Sequence, residues 1–288
     1  MDIRDKVAVI TGGASGLGRA TAETIVANGG KVALLDLNGE LATQTAVELG
    51  NDAHAFTVNV SDSQSATDAV DGVLERFGAI HINVNCAGIG AAGRTLGRDG
   101  PLSLDAFNFV IQVNLVGTFN TLRLCAQKMA TNEPQNEDGE RGVIINTASV
   151  AAYDGQIGQA GYSASKGGVV GMTLPIARDL SRSGIRVCTI APGIFETPMM
   201  LGASEKVRMP LIEMVQFPKR LGDAPEYALL AKQIVENPYL NGETIRLDAG
   251  IRMQPKLRFV VSLPPRKHHD TSRSLAITRS ASTWVSTP

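Results

Sequence analysis

The chain has 288 residues, of which 43% are hydrophobic, 5% aromatic and 19% charged, and 27 Lys and Arg against 28 Asp and Glu give a formal net charge of −1. This composition is typical of an ordinary soluble globular protein with one or two domains. There is no basic excess to attract phosphate backbones, and few aromatic rings are available to stack on bases. Nucleic acid is therefore not expected as the main ligand.

The cysteines and histidines limit the chemistry further. Cys86, Cys125 and Cys188 form no CxxC pair, and an odd number of thiols cannot pair completely, so we expect a reducing compartment. The four histidines show no HExxH spacing, and no metal site is predicted. The apolar runs have strand length, and the first five residues are too short and acidic for a signal peptide. These features predict a cytoplasmic protein without membrane association; a mitochondrial location would need a targeting signal carried elsewhere.

Short apolar runs alternate with helical stretches along most of the chain. The predicted strands cover residues 6–10, 31–36, 53–59, 82–86, 142–147, 185–191 and 244–247. The predicted helices cover residues 18–28, 40–49, 63–77, 103–129 and 161–183, and a last helix begins at Asp223. This alternation predicts an α/β fold, a single Rossmann-type doubly wound parallel sheet of about seven strands with helices on both faces.

Some segments depart from this rhythm. Two polar loops, 89–101 and 131–141, are expected to lie outside the core, and Pro175 predicts a kink or break in its helix. Residues 1–255 form the predicted domain. Residues 256–288 contain six Lys and Arg, one acidic residue and ten Ser and Thr without periodicity. This tail is interpreted as a disordered or non-native extension, with a basic arm for an acidic partner as the alternative.

A glycine-rich loop, residues 11–18, joins the first strand to the first helix. Gly12 would permit a tight turn, Gly16 a close approach to a pyrophosphate, and Gly18 close helix packing. Taken alone, the loop is weak evidence, and a plain strand-to-helix turn is the alternative. Asp36, however, ends the second strand, where a carboxylate accepts hydrogen bonds from the adenosine ribose hydroxyls and repels a 2′-phosphate. The pattern predicts NAD rather than NADP.

A second pattern points to proton transfer. Tyr162 and Lys166 are four residues apart in a predicted helix, so their side chains share one face. A neighbouring cation should lower the pKa of the phenol, which lets Tyr162 exchange a hydroxyl proton as hydride leaves. Ser149 ends a strand upstream and can donate a hydrogen bond to the substrate oxygen. An isolated YxxxK pair is more often a surface pair, but its position after a nucleotide-binding half favours catalysis.

Together with the motifs at 85–88 and 192–197 and with Asn114, these residues resemble the short-chain dehydrogenase/reductase superfamily over residues 1–255. Within it, the sequence is most similar to members that act on acyl-CoA. The resemblance implies a homotetramer that interconverts (S)-3-hydroxyacyl-CoA and 3-oxoacyl-CoA with NAD, in fatty-acid or branched-chain amino-acid degradation. Two alternatives stay open: an alcohol or hydroxysteroid dehydrogenase using the same site, and a non-catalytic scaffold or binding role.

The resemblance also implies roles for individual residues. Tyr162 would be the acid/base, Lys166 its pKa modulator and a ribose ligand, and Ser149 the donor to the substrate oxygen. Asn114 would hold a water in a proton relay. Taken alone, Asn114 is more simply interpreted as a polar residue within a helix whose hydrogen bonds are made inside the protein. The implied cofactor-binding residues are Gly12, Ser15, Gly16, Leu17, Gly18, Asp36, Asn59, Val60, Cys86, Ala87, Gly88, Tyr162, Lys166, Pro192, Phe195 and Thr197. The implied substrate-binding residues are Ser149, Gln156, Gln159 and Tyr162.

Two positions depart from the family pattern. Asn59 stands where the family usually has an aspartate that accepts from the adenine amino group, which predicts slightly weaker NAD binding. Glu196 adds a negative charge beside residues 198–218, a methionine-containing segment that is either a mobile lid or part of the core.

Overall fold

The computed structural model describes residues 1–201 and 205–256, and its centre is one parallel sheet. The strands are β1 (Val7–Thr11), β2 (Lys31–Asp36), β3 (Ala53–Thr57), β4 (Ile82–Asn85), β5 (Leu96–Gly97), β6 (Gly100–Pro101), β7 (Gly142–Thr147), β8 (Ile185–Pro192) and β9 (Thr244–Leu247). Seven of them form the sheet in the order β3-β2-β1-β4-β7-β8-β9, while β5 and β6 form a separate antiparallel hairpin. The predicted seven-stranded sheet is confirmed. The predicted tail, apart from Lys256, lies outside the described residues.

Helices connect the strands and cover the sheet. They are α1 (Gly16–Ala27), α2 (Gly39–Leu49), α3 (Ser63–Phe77), α4 (Leu104–Ile111), α5 (Gly117–Met129), α6 (Ala160–Leu180), α7 (Pro198–Leu201), α8 (Glu205–Met214) and α9 (Ala224–Glu236). A π-helical segment, Gln112–Val116, joins α4 to α5. Side chains of α1, α2 and α9 pack on one face of the sheet, and side chains of α3, α5 and α6 pack on the other. Because both faces are covered, the strands read as unbroken apolar runs.

Two helices differ from the sequence prediction. The helix predicted over residues 103–129 is present, but the π-helical segment carries Asn114 in its middle. By length and mean hydropathy, Leu104–Met129 would pass for a membrane span, yet 56% of its apolar stretch is buried within the fold, as in a core helix. The break predicted at Pro175 is wrong, because α6 continues through it. Pro175 is exposed while Ile176 and Ala177 are buried beside it, so packing holds the helix where one backbone donor is missing.

Stability should decrease in mild acid because of His81, which is buried directly before β4 and accepts a hydrogen bond from the Val7 backbone N–H at 3.2 Å. Burial, helped by the charge of Lys6, lowers the pKa of His81 from 6.5 to about 4. Between these values the unfolded chain binds the proton and the folded chain does not, so the free energy of unfolding falls as pH drops from 6.5 to 4, by about 3 kcal/mol. Urea unfolding of wild type and His81→Asn at several pH values tests this; equal slopes would contradict it.

Candidate active site

The site lies at the carboxyl ends of the neighbouring strands β1 and β4. In the sheet, β2 lies beside β1 on one side of this pair, and β7 lies beside β4 on the other side. Gly12 has a φ of +65°, and a Cβ there would approach the Ala87 backbone nitrogen at 2.9 Å. A Cβ on Gly18 would lie 2.2 Å from the Gly12 carbonyl oxygen, so α1 packs against the loop only because residue 18 is glycine. These contacts agree with the tight turn and close packing predicted for Gly12 and Gly18.

The remaining residues of the glycine-rich loop lie at the start of α1. Gly16 has a φ of +52°, and a Cβ there would contact Thr197 and Pro198 at about 3.5 Å. Ser15 is the N-cap of α1, whose first turn includes Leu17. The structure thus brings the pyrophosphate loop beside Thr197, the residue expected at the nicotinamide end. The free N–H groups of a helix N-terminus are suited to phosphate.

Asp36 is held in a fixed orientation at the end of β2. One carboxylate oxygen accepts from the Ala14 backbone N–H at 3.1 Å, and the other accepts from the Asn38 N–H at 3.0 Å. The carboxylate therefore sits against the glycine-rich loop, where it can meet ribose hydroxyls. No basic side chain occupies positions 15, 37 or 38 to balance a 2′-phosphate. Together with the backbone cradle at Gly12, this donor and acceptor set fits NAD.

Asn59 and Val60 follow β3 next to that region. Val60 is buried, whereas Asn59 is exposed and its side-chain oxygen accepts from the Ser61 N–H at 3.1 Å and from the Ser61 hydroxyl at 2.7 Å. The amide oxygen is thus partly occupied within its own turn. This adds a second reason, besides its neutral charge, to expect a weaker bond to adenine.

Asn59→Asp is expected to lower the KM for NAD about fivefold, because a charge-assisted hydrogen bond is roughly twice as strong as a neutral one and the second carboxylate oxygen stays free. Steady-state kinetics at saturating alcohol substrate measures this. Asn51→Asp, on an exposed turn, controls for the added negative charge. An unchanged KM in Asn59→Asp would contradict the predicted adenine contact.

The three proposed catalytic side chains meet at the start of α6. Ser149 follows β7, and its hydroxyl lies close enough to the phenol of Tyr162 to lower the pKa of that phenol. The Lys166 ammonium lies 5.9 Å from the centre of the Tyr162 ring and donates to the Thr147 backbone carbonyl at 2.8 Å. Lys166 is only 5% exposed. The helical spacing therefore brings the phenol of Tyr162 and the ammonium of Lys166 together, as predicted, and the end of β7 brings Ser149 to the same place.

The electrostatics of this cluster correct one expectation. Burial raises the pKa of Tyr162, and the hydrogen bond from Ser149 only partly opposes that change. Burial also lowers the pKa of Lys166 to about 8. The predicted lowering of the Tyr162 pKa by Lys166 is not found, because the ammonium lies beside the ring and is directed to the Thr147 carbonyl. Sequence reasoning missed Thr147, whose contribution is a backbone carbonyl without a side-chain signature.

Asn114 lies beside this cluster and is fully buried. Its side-chain oxygen accepts from the Ile89 N–H at 2.8 Å, and its amide donates to the Ile89 carbonyl at 3.0 Å and to the Ser165 hydroxyl at 3.2 Å. A Cβ on Gly88 would be 3.1 Å from the Asn114 oxygen and 3.5 Å from the Lys166 nitrogen. Asn114 therefore fixes the loop after β4 next to Lys166, and its part in a proton relay stays a prediction.

The other predicted residues surround the same cleft. Cys86, Ala87 and Gly88 follow β4, Pro192 is the last residue of β8, and Phe195 is buried against Gly222. Among them, Cys86 contacts the interior side chains Thr147 and Tyr227, and a contact with adenosine stays a prediction.

The two glutamines expected at the substrate pocket bond mainly to the protein. Gln156 donates from its amide to the Gln254 carbonyl at 2.8 Å, and its backbone N–H donates to the Gln159 side chain at 2.9 Å. Their contact with a substrate stays a prediction. No cluster of potential metal ligands occurs in residues 1–201 and 205–256.

Known proteins share this architecture. The short chain dehydrogenase family profile matches residues 6–208. The chain is 52% identical over 255 residues to 3-hydroxyacyl-CoA dehydrogenase type-2 of Drosophila melanogaster, covering 88% of this chain and 100% of that one. It is 53% identical over 255 residues to the human protein of the same name, covering 88% of this chain and 97% of that one.

Solved structures agree with these sequence matches. The crystal structure of 3-hydroxyacyl-CoA dehydrogenase type-2 from Mycobacterium avium has a TM-score of 0.83 at 42% identity, covering 88% of this chain and 97% of that one. That of 3-ketoacyl-(acyl-carrier-protein) reductase from Brucella melitensis, complexed with NADH, has a TM-score of 0.77 at 27% identity, covering 87% and 100%. With its glycine loop, Ser149, Tyr162 and Lys166 in one cleft, the chain belongs to the short chain dehydrogenase family.

Proposed function

We propose that this oxidoreductase interconverts (S)-3-hydroxyacyl-CoA and 3-oxoacyl-CoA with NAD, in fatty-acid or branched-chain amino-acid degradation. The observation that carries the proposal is the 52–53% identity over 255 residues to proteins named 3-hydroxyacyl-CoA dehydrogenase type-2, a span that includes the whole cleft. Alcohol or hydroxysteroid oxidation and a scaffold role are less favoured. The cytoplasmic location stays a prediction.

The cofactor proposal rests on the chain's own residues. Family membership and the NADH-bound relative support a nicotinamide cofactor, and the fixed carboxylate of Asp36 favours NAD over NADP. Gly12, Gly16 and Gly18 would hold the pyrophosphate side, and Thr197 the nicotinamide side. When bound, NAD supplies the hydride acceptor.

The protein residues would handle the proton. Ser149 would donate a hydrogen bond to the substrate oxygen and orient the hydroxyl toward Tyr162. Tyr162, as phenolate, would take the hydroxyl proton, and in the reverse direction the phenol would return it. Lys166, held by the Thr147 carbonyl, would keep a positive charge close to the developing phenolate. Because burial raises the pKa of Tyr162, the chemistry depends on this local charge and on the hydrogen bond from Ser149.

A substrate panel tests the proposal. NADH formation is followed with short, branched and medium-length 3-hydroxyacyl-CoAs and with several hydroxysteroids, using Tyr162→Phe as the blank. We expect turnover above the blank with at least one acyl-CoA. Turnover with steroids alone would favour the alternative dehydrogenase, whereas NADH binding without turnover of any substrate would favour the binding role.

We also propose that the chain forms a homo-oligomer, in line with the homotetramer that the family resemblance implies. The support is an exposed apolar strip along the α4–α5 helix, formed by Leu104, Phe109, Val116 and Phe119. Phe109 is 60% exposed and Phe119 is 47% exposed, although both are large aromatic side chains. Several large apolar side chains exposed along one helix are typical of an interface, and a second copy would cover them.

Phe109→Glu is expected to shift the protein to a smaller oligomer, because a carboxylate buried at an apolar interface loses hydration without gaining a partner. Light scattering coupled to size-exclusion chromatography measures the mass. Val47→Glu, at a single exposed valine of α2, is the matched control and should leave the mass unchanged. A monomeric wild type, or an unchanged mass in Phe109→Glu, would exclude this interface.

A further inference from the structure

Two buried side chains, Tyr227 and Thr147, meet the half-buried Cys86 behind Lys166. Tyr227 of α9 is fully buried, Thr147 ends β7, and Cys86 follows β4. A hydrogen bond of 2.7 Å joins the Tyr227 and Thr147 hydroxyls. The Cys86 sulfur lies 3.7 Å from the Tyr227 oxygen and 3.6 Å from the Thr147 oxygen. We call these three residues the buried triad.

The hydrogen bonds of the buried triad can form a closed cycle. The Thr147 hydroxyl donates to the Cys86 sulfur, the Cys86 thiol donates to the Tyr227 oxygen, and the Tyr227 hydroxyl donates to Thr147. Each group then donates once and accepts once. Burial raises the pKa of both Cys86 and Tyr227, so both keep their protons at neutral pH. All three groups therefore stay neutral and can each donate a hydrogen bond within the cycle.

The buried triad is connected to the reaction through the backbone of Thr147. The carbonyl of this residue accepts the hydrogen bond from the Lys166 ammonium at 2.8 Å. Because Lys166 is buried, its charge requires a well-placed acceptor. The hydroxyl of Thr147 is bonded to Tyr227 and its carbonyl to Lys166, so fixing one side of this residue fixes the other. Ser149 is only two residues further along the same strand end.

From this geometry we infer that Tyr227 is a positioning residue for the dehydrogenase reaction, acting through Thr147 on Lys166. The hydroxyl of Tyr227 holds the end of β7, and helix α9 thereby supports the catalytic cluster. The inference relies on the proposed dehydrogenase chemistry, but not on the identity of the alcohol substrate. Lys166 is also the expected ribose ligand, so disturbing its position should weaken NADH binding.

Tyr227→Phe tests the inference, because it removes the hydroxyl and keeps the buried ring. We expect kcat to fall about tenfold and the Kd for NADH to rise about threefold, in the range that one lost hydrogen bond produces. Thr147→Val should act in the same direction, and Thr147→Ser should restore most of the activity. Tyr239→Phe is the matched control, since Tyr239 is 97% exposed, and it should behave as wild type.

The pH profile separates positioning from a merely structural role. The titratable groups near Lys166 in the described part of the chain are Tyr162 on its own helix, Cys86 after β4 and Tyr227 on α9. If the Thr147 carbonyl moves, the Lys166 ammonium is less well held. The alkaline limb of the kcat profile should then begin at lower pH in Tyr227→Phe and in Thr147→Val, but not in Tyr239→Phe.

A double-mutant cycle completes the test. In Tyr227→Phe/Thr147→Val we expect kcat, NADH affinity and the urea midpoint to be no lower than in the worse single variant, because both changes remove the same bond. Additive losses, or a lower urea midpoint with wild-type kcat, pH profile and NADH affinity, would overturn the inference. A wild type that turns over no acyl-CoA would count against the proposed substrate, while NADH affinity would still decide the role of Tyr227.

Discussion

Replacing Tyr162 with phenylalanine should lower kcat about 10³-fold, the effect expected when a general acid/base is removed. The hydroxyl of Tyr162 is close to Ser149, which lowers its pKa, and it is the group that can take the substrate proton. The phenylalanine ring can occupy the same position beside Lys166, so the fold and NADH binding should persist. Kinetics under saturating NAD and substrate, together with NADH fluorescence titration, measure the two effects separately.

Tyr153→Phe provides the matched control for this experiment. Tyr153 lies four residues after Ser149, and its ring is stacked under the Arg246 guanidinium at 5.0 Å. Phenylalanine keeps that contact, and kcat should stay within about twofold of wild type, as for a surface substitution. If Tyr162→Phe retained more than about a tenth of wild-type kcat, proton transfer by another group would have to be sought.

The sequence predicted the fold well because parallel strands covered on both faces are continuous apolar runs. It did not predict the β5–β6 hairpin, since two-residue strands have no periodicity. The π-helical turn at Asn114 was also missed, because a hydrophobic pattern hardly distinguishes one helical hydrogen-bond register from another over five residues. Pro175 shows the opposite failure, in which local propensity was overruled by packing of its buried neighbours.

Long-range polar contacts explain most of what the sequence could not show. The loop at 131–141 was expected outside the core, but Glu140 is buried and accepts from the Arg186 guanidinium of β8 at 2.7–2.8 Å. These two residues are 46 positions apart, so the sequence around either residue does not predict the contact with the other. The same holds for Tyr227 and Thr147, which are 80 positions apart.

Motifs succeeded where the chemistry requires fixed spacing on one element. Tyr162 and Lys166 are neighbours because they are about one helical turn apart on α6. Ser149 lies near them because it comes just after the end of β7. The environment of these groups depends on burial, which is why the direction of the Tyr162 pKa was wrong. Sequence motifs thus placed the reacting groups, and the tertiary structure determined their protonation.

Gly18→Ala should weaken cofactor binding strongly, because its methyl group would lie 2.2 Å from the Gly12 carbonyl oxygen. A backbone atom cannot rotate away as a side chain can, so α1 and the loop must separate. Overpacking of this kind costs about 1–3 kcal/mol of stability, and displacement of the phosphate-binding N–H groups should raise the Kd for NADH more than about tenfold. Fluorescence titration and urea unfolding measure the two changes.

The matched control for Gly18→Ala is Glu23→Ala on the exposed side of the same helix. Its surface ion pair with Arg19, 2.8 Å long, contributes about 0.5 kcal/mol or less, and the residue does not face the loop. Glu23→Ala should bind NADH like wild type. If Gly18→Ala did so too, the loop would have to tolerate a shift of α1, and the close packing at Gly12 would not be what orders the cofactor site. A loss of affinity limited to Gly18→Ala would show that the helix N-terminus must approach the turn this closely for the dinucleotide to bind.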